Sequence, residues 1–293
     1  MASSLLGLCY HLFTLTRIME LLNRIDPKLR SGALFIVRRL QEHGNKALFA
    51  GGVVRDLLLG RPISDVDIAT SALPDEVQNL FEHTVDVGKE FGVVIVVIDS
   101  TPFEVTTFRK DVEYMDGRHP VRVTFSDERE DALRRDFTVN ALFLEPDTGQ
   151  VIDYVGGRKD LDLRLIRTVG APEDRFDEDK LRIMRAIRFA CQLDFQIEEQ
   201  TMAAVKKFAP QILQVSWERI RDELIKILLS PGASRGLALL LETGILEVIL
   251  PEVAAMDGVE QPPEFHPEGD VFTHTRLMFE LSKERSEALA LGI

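Results

Sequence analysis

An α+β fold, with strands in the first half of the chain and helices in the second, is what the sequence predicts. Three observations carry this expectation. Short β-branched runs bounded by turn residues recur up to residue 143, among them VVIVVI at 93–98 and FEVTTF at 103–108. Beyond Ile166 no convincing strand pattern remains, and apolar residues recur at helical spacing. The segment DYVGGRKDL at 153–161 reads as a glycine hinge and places a domain boundary between the two halves.

The first helical pattern covers 21–43: Ala33, Ile36, Val37 and Leu40 share one face, Arg38, Arg39 and Glu42 take the other, and Gly44 ends it. Residues 48–70, LFAGGVVRDLLLGRPISDVDIAT, follow. They read as the end of a buried strand, a turn at Gly51 and Gly52, a short helix over 53–59 closed by Gly60 and Pro62, and a second short strand carrying Asp65 and Asp67. Residues i and i+2 of a strand point to one face, so the two carboxylates lie side by side while Val66 turns to the core. Two such charges repel unless a cation sits between them, and hard oxygen donors suit magnesium. A helix starting after the glycine pair offers amide N–H groups and a positive dipole end to an anion such as a nucleoside triphosphate, with Arg55 adding charge. Taken alone, Gly-Gly reads more simply as a plain strand-to-helix turn.

A helix over 74–81 precedes the strand at 93–98, which its continuous β-branched run marks as central and buried; Gly88 and Gly92 bracket the turn between them. In the strand 103–108, alternation puts Glu104 and Thr106 on one face and Phe103 and Val105 on the other. Glu104 becomes a third carboxylate of the same site if this strand lies beside the one with Asp65 and Asp67, and is otherwise an ordinary solvent-facing residue. Residues 109–122 are polar and rich in turn formers and read as a mobile loop of the lid type. RRDFTVNA at 134–141 leads into another strand at 141–143. Arg134 and Arg135 are either a surface ion pair or, near a triphosphate, its ligands, with Asp136 and Asn140 available to a ribose hydroxyl.

In the helical half, EDKLRIMRAIRF at 178–189 supplies Ile183 and Ile187 to the core, followed by Ala190, while Arg182, Arg185 and Arg188 recur every third residue. Asp179 and Arg182, three apart on a helix, are neighbours; the same spacing also describes a merely solvated charged face. Helices over 217–229 and 234–241 read as structural only.

The 293 residues, 45% of them hydrophobic, suffice for two or three domains with their own cores. The formal net charge of −13 excludes general affinity for nucleic acid, so any RNA contact must use a local basic patch. Cys9 and Cys191 stand far apart, which suits a reducing cytoplasm and forms no metal-finger spacing. The apolar stretch at 5–15 has no basic residue before it and is too short for a membrane helix. Met19 precedes a cleaner amphipathic start, which makes residues 1–18 either an extension or a poorly packed helix.

Five motifs in this order resemble those of the class II, bacterial-type CCA-adding tRNA nucleotidyltransferases and the related bacterial poly(A) polymerases: LFAGGVVRDLLLGRPISDVDIAT, FEVTTFR, RRDFTVNA, DYVGGRKDL and EDKLRIMRAIRF. The resemblance covers about residues 30–280. It implies a polymerase-beta-like nucleotidyltransferase head with a mixed sheet, at 30–152, after an N-terminal segment 1–29. An all-α neck at 153–230 and body at 231–265 are implied to follow. Asp65, Asp67 and Glu104 match the family's catalytic carboxylates, which hold Mg²⁺ for two-metal phosphoryl transfer. Gly51, Gly52 and Arg55 match the triphosphate segment, and Arg134, Arg135, Asp136 and Asn140 the ribose and phosphate motif. Glu178, Asp179 and Arg182 match the base-selecting motif: Asp179 accepts from the amino group of cytosine or adenine, Arg182 donates to the ring nitrogen, and Glu178 positions Arg182. Arg185 and Arg188 extend a basic stripe as RNA or nucleotide contacts.

The activity so implied is CMP and AMP addition from CTP and ATP to the tRNA 3′ end. A-only addition, on tRNA or as poly(A), stands as the alternative within the family, and a non-catalytic RNA- or nucleotide-binding fragment as the alternative outside it. The length of the 109–122 loop counts against a CC-only enzyme, whose relatives have it shortened. HPEGDVFTHT at 266–275 resembles the opening of a phosphohydrolase-like His-Asp domain, but no adjacent His-Asp pair occurs, so 266–293 is expected to be the truncated start of that domain without a hydrolase site.

Overall fold

The structure is a computed structural model, described for residues 21–114, 120–282 and 284–292, with the backbone alone over 111–122. The expected extension or helix at 1–18 and the centre of the expected lid lie outside these residues. In chain order the first elements are α1 (Pro27–Glu42), β1 (Ala47–Ala50), α2 (Gly52–Leu59), β2 (Ile68–Thr70), α3 (Pro74–Leu80), β3 (Thr84–Gly88), β4 (Val93–Ile98) and β5 (Thr101–Thr107). They continue with β6 (Arg109–Tyr114), β7 (Pro120–Phe125), α4 (Glu128–Leu133), β8 (Leu142–Glu145), β9 (Gln150–Asp153) and α5 (Gly157–Asp162). The later chain holds β10 (Leu165–Ile166), α6 (Pro172–Glu178), α7 (Arg182–Leu193), β11 (Gln196–Ile197), α8 (Glu199–Phe208), α9 (Trp217–Leu228) and α10 (Ala233–Glu242). It ends in α11 (Ile245–Ile249), α12 (Pro251–Ala254), α13 (Val271–Leu281) and α14 (Glu287–Gly292). The chain divides into two compact units, one reaching to Leu161 and the other running from Asp162.

The first unit is built on a seven-stranded sheet in the order β3-β4-β5-β2-β1-β8-β9. β2 and β5 pair in parallel and the remaining neighbours are antiparallel, so the sheet is mixed as expected. Helix α1 starts where Asp26 accepts the Lys28 and Leu29 amides at 2.9 and 3.3 Å, a cap worth about 1 kcal/mol, and buries Ala33, Ile36, Val37 and Leu40. All four residues of β1 are buried, as are the three of β2, the middle strand, with which it pairs.

Several expectations need correction. Asp65 and Asp67 lie just before β2, not within it, although Ala50 N–H still donates to the Asp67 carbonyl at 3.0 Å and prolongs the ladder by one residue. The 93–98 run is not buried on both sides: Val94 and Val96 are sealed, while their neighbours stay partly exposed, because this antiparallel strand lies next to the sheet edge. That edge is β3, which the sequence reading missed; its Val85 and Val87 face outward, so its pattern does not advertise a core. The expected loop at 109–122 contains the paired strands β6 and β7. The alternation of valine with charged residues in DVEY and VRVTF is strand-like once its turn formers are assigned to the tip.

The glycine hinge is a packed turn. The Asp153 carboxylate accepts four successive amides, from Val155 to Arg158, at 2.8–3.1 Å. A β-carbon on Gly157 would stand 2.2 Å from the Thr138 carbonyl oxygen. Nearby, the Thr138 hydroxyl donates to Asp160 at 2.7 Å. Gly157→Ala is therefore expected to cost at least about 2 kcal/mol, by overpacking against backbone that has no rotamer to escape into. The measurement is a urea midpoint, and an unchanged midpoint would show that the close approach can relax.

The second unit is helical, with one small exception: the two-residue strands β10 and β11 pair in parallel. The helix expected over 178–189 is split, α6 ending at Glu178 and α7 beginning at Arg182. Asp179 between them is extended, with φ −146° and ψ 107°. Ile183, Ile187 and Ala190 do face the core, as expected. Among the described residues no helix is long and apolar enough to cross a membrane.

Candidate active site

Pairing of Ile68 with Val105 in the parallel β2–β5 ladder aligns the preceding residues, Asp67 and Glu104. Glu104 is exposed between buried Phe103 and Val105, so alternation turns it to the open face of the sheet. Asp65 is exposed and Asp67 partly buried, on either side of buried Val66. The Asp67 carboxyl is pushed up to about 7, first by burial and then by the negative charges of Glu104 and Asp65, with Arg135 opposing. A carboxyl so destabilised as an anion, beside two more oxygen donors, is the chemistry a divalent cation relieves. The donor set therefore fits a hard metal ion.

Gly51 makes the adjoining turn, at φ 72° and ψ −124°, where an L side chain is strained. Space forbids one as well, since a β-carbon there would stand 2.8 Å from Arg135 Nη1. The Gly51 N–H is already used, donating to the Leu142 carbonyl at 2.9 Å, and Arg55 N–H closes the first turn of α2 on the Gly51 carbonyl at 3.2 Å. The amides without an intrahelical acceptor are thus those of Gly52 and the two valines after it. Arg55 is buried: its guanidinium meets Asp56 at 2.7 and 3.0 Å and donates to the Asn140 side-chain oxygen at 2.6 Å.

The RRDFTVNA segment forms a second layer behind that turn. Asp131, 1% exposed, takes Arg134 on one oxygen at 2.7 and 2.9 Å and Arg135 on the other at 3.0 and 3.2 Å. Burial alone would raise the Asp131 carboxyl, but the two guanidinium charges override it and hold it below the usual carboxylate range. Arg135 also donates to the Asn140 carbonyl at 3.1 Å, and its guanidinium carbon lies 5.0 Å from the centre of the Phe143 ring. The Asp136 carboxylate accepts from Phe137 N–H at 2.8 Å and from the Asn140 side-chain amide at 3.2 Å. Gly51, Arg55, Arg135, Asp136 and Asn140 are therefore one connected network. Asp131 was absent from the sequence reading, although it stands three and four residues before Arg134 and Arg135, a helical spacing that could have disclosed it.

In the second unit the base-motif residues pair crosswise. Glu178 binds Arg182 at 2.6 Å through one oxygen and Arg175 at 2.6 Å through the other. Asp179 binds Arg219 of α9 at 2.7 Å and accepts Leu181 N–H at 3.0 Å. Asp179 and Arg182 are thus not joined to each other across one helical turn, as the spacing suggested; they meet through backbone, Arg182 N–H donating to the Asp179 carbonyl at 3.1 Å. A carboxylate has about four lone-pair sites, so Asp179, which accepts two hydrogen bonds, keeps capacity for a base edge. Arg185 lies over Phe189 at 5.4 Å, while Arg188, 9% exposed, binds Glu223 of α9 at 2.5 Å and stacks at 4.1 Å on the same ring. The expected basic stripe is therefore partly internal. Helix α9, read as structural only, supplies both Arg219 and Glu223.

Comparison with known proteins bears on these two constellations. Residues 47–167 match the family described as the Poly A polymerase head domain, and residues 194–257 that described as the probable RNA and SrmB-binding site of polymerase A. The CCA-adding enzyme of Geobacillus thermodenitrificans (strain NG80-2) is 52% identical over 223 residues, 76% of this chain and 55% of that protein. The chain belongs to the CCA-adding enzyme and poly(A) polymerase family. Within this family, the CCA-adding enzyme of Enterococcus faecalis (strain ATCC 700802 / V583) is 50% identical over 209 residues, 71% of this chain and 51% of the relative. The chain thus spans about half the length of these family members. Among solved structures, the Bacillus stearothermophilus CCA-adding enzyme in complex with CTP superposes with a TM-score of 0.72 at 45% identity, covering 79% of this chain and 57% of that one. A tRNA nucleotidyltransferase complexed with a primer tRNA and an incoming ATP analog gives 0.63 at 28% identity, over 86% and 76% of the two chains.

Proposed function

We propose that this chain is a template-independent RNA nucleotidyltransferase that adds CMP and AMP, from CTP and ATP, to the 3′ end of tRNA in the cytoplasm. The observation that carries the reading is the alignment of Asp67 with Glu104, with Asp65 close by and the Gly51 turn adjoining. Asp65, Asp67 and Glu104 hold the metal, for which their all-oxygen donor set favours Mg²⁺. When bound there, Mg²⁺ would supply the positive charge that favours ionisation of the RNA 3′-hydroxyl and that offsets the charge on the departing pyrophosphate. The first-turn amides of α2 bind the triphosphate at the positive end of the helix. Arg134 and Arg135, fixed by Asp131, present charge to its phosphates, and Asp136 with Asn140 receives the ribose.

Base choice falls to Asp179 and Arg182. Cytosine and adenine both place an amino donor beside a ring-nitrogen acceptor, which the carboxylate and guanidinium complement; uracil and guanine reverse the order and face like groups. A mismatch of this kind costs roughly 1–3 kcal/mol, about 5- to 150-fold. Fixation of Asp179 by Arg219 and of Arg182 by Glu178 supports this reading, because a pair that selects by geometry must not swing.

The test is incubation with tRNA lacking its CCA end, Mg²⁺ and each nucleoside triphosphate singly, then CTP with ATP. CTP alone is expected to add residues, and ATP to complete the end. Incorporation of ATP but not CTP would replace the reading by A-only addition, and no incorporation at all by a binding fragment. In the same assay Asp179→Ala is expected to accept UTP or GTP about tenfold better relative to CTP. Unchanged selectivity would remove Asp179 from base choice.

A further inference from the structure

Among the described residues, one cluster outside both constellations brings metal-ligating side chains together: His266, Glu268 and His274. Their ligand atoms all lie within 4.8 Å of one another. His266 Nδ1 stands 3.2 Å from Glu268 Oε1, and His274 Nδ1 hydrogen-bonds the same oxygen. The two rings meet edge to face with centroids 4.9 Å apart. Donor atoms bonded to one tetrahedral zinc ion at about 2.0–2.1 Å stand roughly 3.3 Å from each other. The His266–Glu268 separation already matches that span, and the third donor lies within reach of the same ion.

The local backbone holds this geometry. Asp270 caps α13 by accepting Thr273 N–H at 2.7 Å and with its other oxygen accepts Gly258 N–H at 2.8 Å. Val271 N–H donates to the Val259 carbonyl at 3.0 Å. The segment 258–270, which carries His266 and Glu268, is thus closed at its two ends beside the first turn of α13, which carries His274. The hydrogen bond from His274, with others from backbone and from His266, holds the Glu268 carboxyl down at about 2. The three side chains are one-sixth to one-third exposed, which leaves an entry path.

We propose that His266, Glu268 and His274 bind one divalent transition-metal ion of the zinc, cobalt or nickel class. Two imidazoles and one carboxylate discriminate against magnesium, which prefers an all-oxygen octahedral shell. They add one negative charge to a doubly charged ion, leaving a positively charged centre with a position open to water. These ligands differ from the adjacent His-Asp pair that the sequence lacks, and the site is independent of the carboxylates around Asp67.

The test uses the full chain without a histidine tag, freed of metal by chelation and titrated with Co²⁺ in excess Mg²⁺. Visible d–d absorption saturating at one equivalent is expected, and Zn²⁺ should bleach it. His266→Ala and His274→Ala should lose the band. Glu268→Gln, which keeps the shape, should weaken Co²⁺ binding at least about tenfold, since even changes around metal ligands cost 10–100-fold. The band should persist in Asp67→Asn, which separates this site from the proposed nucleotidyltransferase centre. Absence of the band, or a band unchanged in Glu268→Gln, overturns the proposal; if either histidine variant misfolds, Glu268→Gln decides alone.

Discussion

Asp67→Asn is expected to reduce nucleotide transfer by roughly 1,000-fold or more, because the proposed metal centre would lose a ligand and with it several kcal/mol of transition-state charge stabilisation. The same change should leave the melting midpoint unchanged, or raise it, in metal-free buffer. Burial and the neighbouring Glu104 and Asp65 charges already work against an ionised Asp67, so a neutral side chain of the same shape removes a repulsion. Loss of activity with gain of stability is the mark of a group retained for chemistry. Transfer at the wild-type rate would place the reaction elsewhere. A drop in both activity and midpoint would make Asp67 a structural residue.

The second large effect is expected at Asp131. Replacing it with Asn removes a buried negative charge that both guanidinium groups share, so each loses an ion pair. Breaking a buried pair costs about 3–5 kcal/mol. The arginine side chains are 18% and 19% exposed, so water recovers part of that, and about 2–3 kcal/mol is expected in urea unfolding. The pH dependence has a definite sign. The folded-state pKa of Asp131 is depressed, so its stabilisation is complete above the unfolded carboxylate value of about 3.9 and disappears as pH falls through the lower folded value. Wild type and variant should therefore differ by a constant amount near neutrality and converge in acid. Parallel curves down to the lowest pH at which both still fold would show that the aspartate charge is not what holds the arginines.

Much of the first unit was legible because its information is local. Alternation in FEVTTF put Glu104 on the open face, the glycine pair marked the turn before α2, and helical spacing marked the buried stripe of α1. Where local patterns failed, two structures shared one pattern. The polar run at 109–122 is both a plausible loop and a plausible hairpin, and strand pairing decides between them. EDKLRIMRAIRF reads as one helix, yet Asp179 is extended because its carboxylate is held by a residue of α9 and by Leu181 N–H.

The sequence by itself determined the α+β division, the identity of the carboxylates and arginines that carry charge, and the faces of the elements on which most of them stand. Those properties follow from the period of a strand or a helix and from side-chain chemistry, which act over a few residues. Only the tertiary structure decided the partners. Asp67 aligns with Glu104 because β2 and β5 run in parallel after an excursion through α3, β3 and β4, and Asp179 meets Arg219 across 40 residues. Contacts between elements depend on which buried faces fit together, a property of whole surfaces that no spacing along the chain encodes. The turn at Gly51 was therefore legible from the glycine pair, while its location beside Asp67 and Arg135 came from the packing of the sheet.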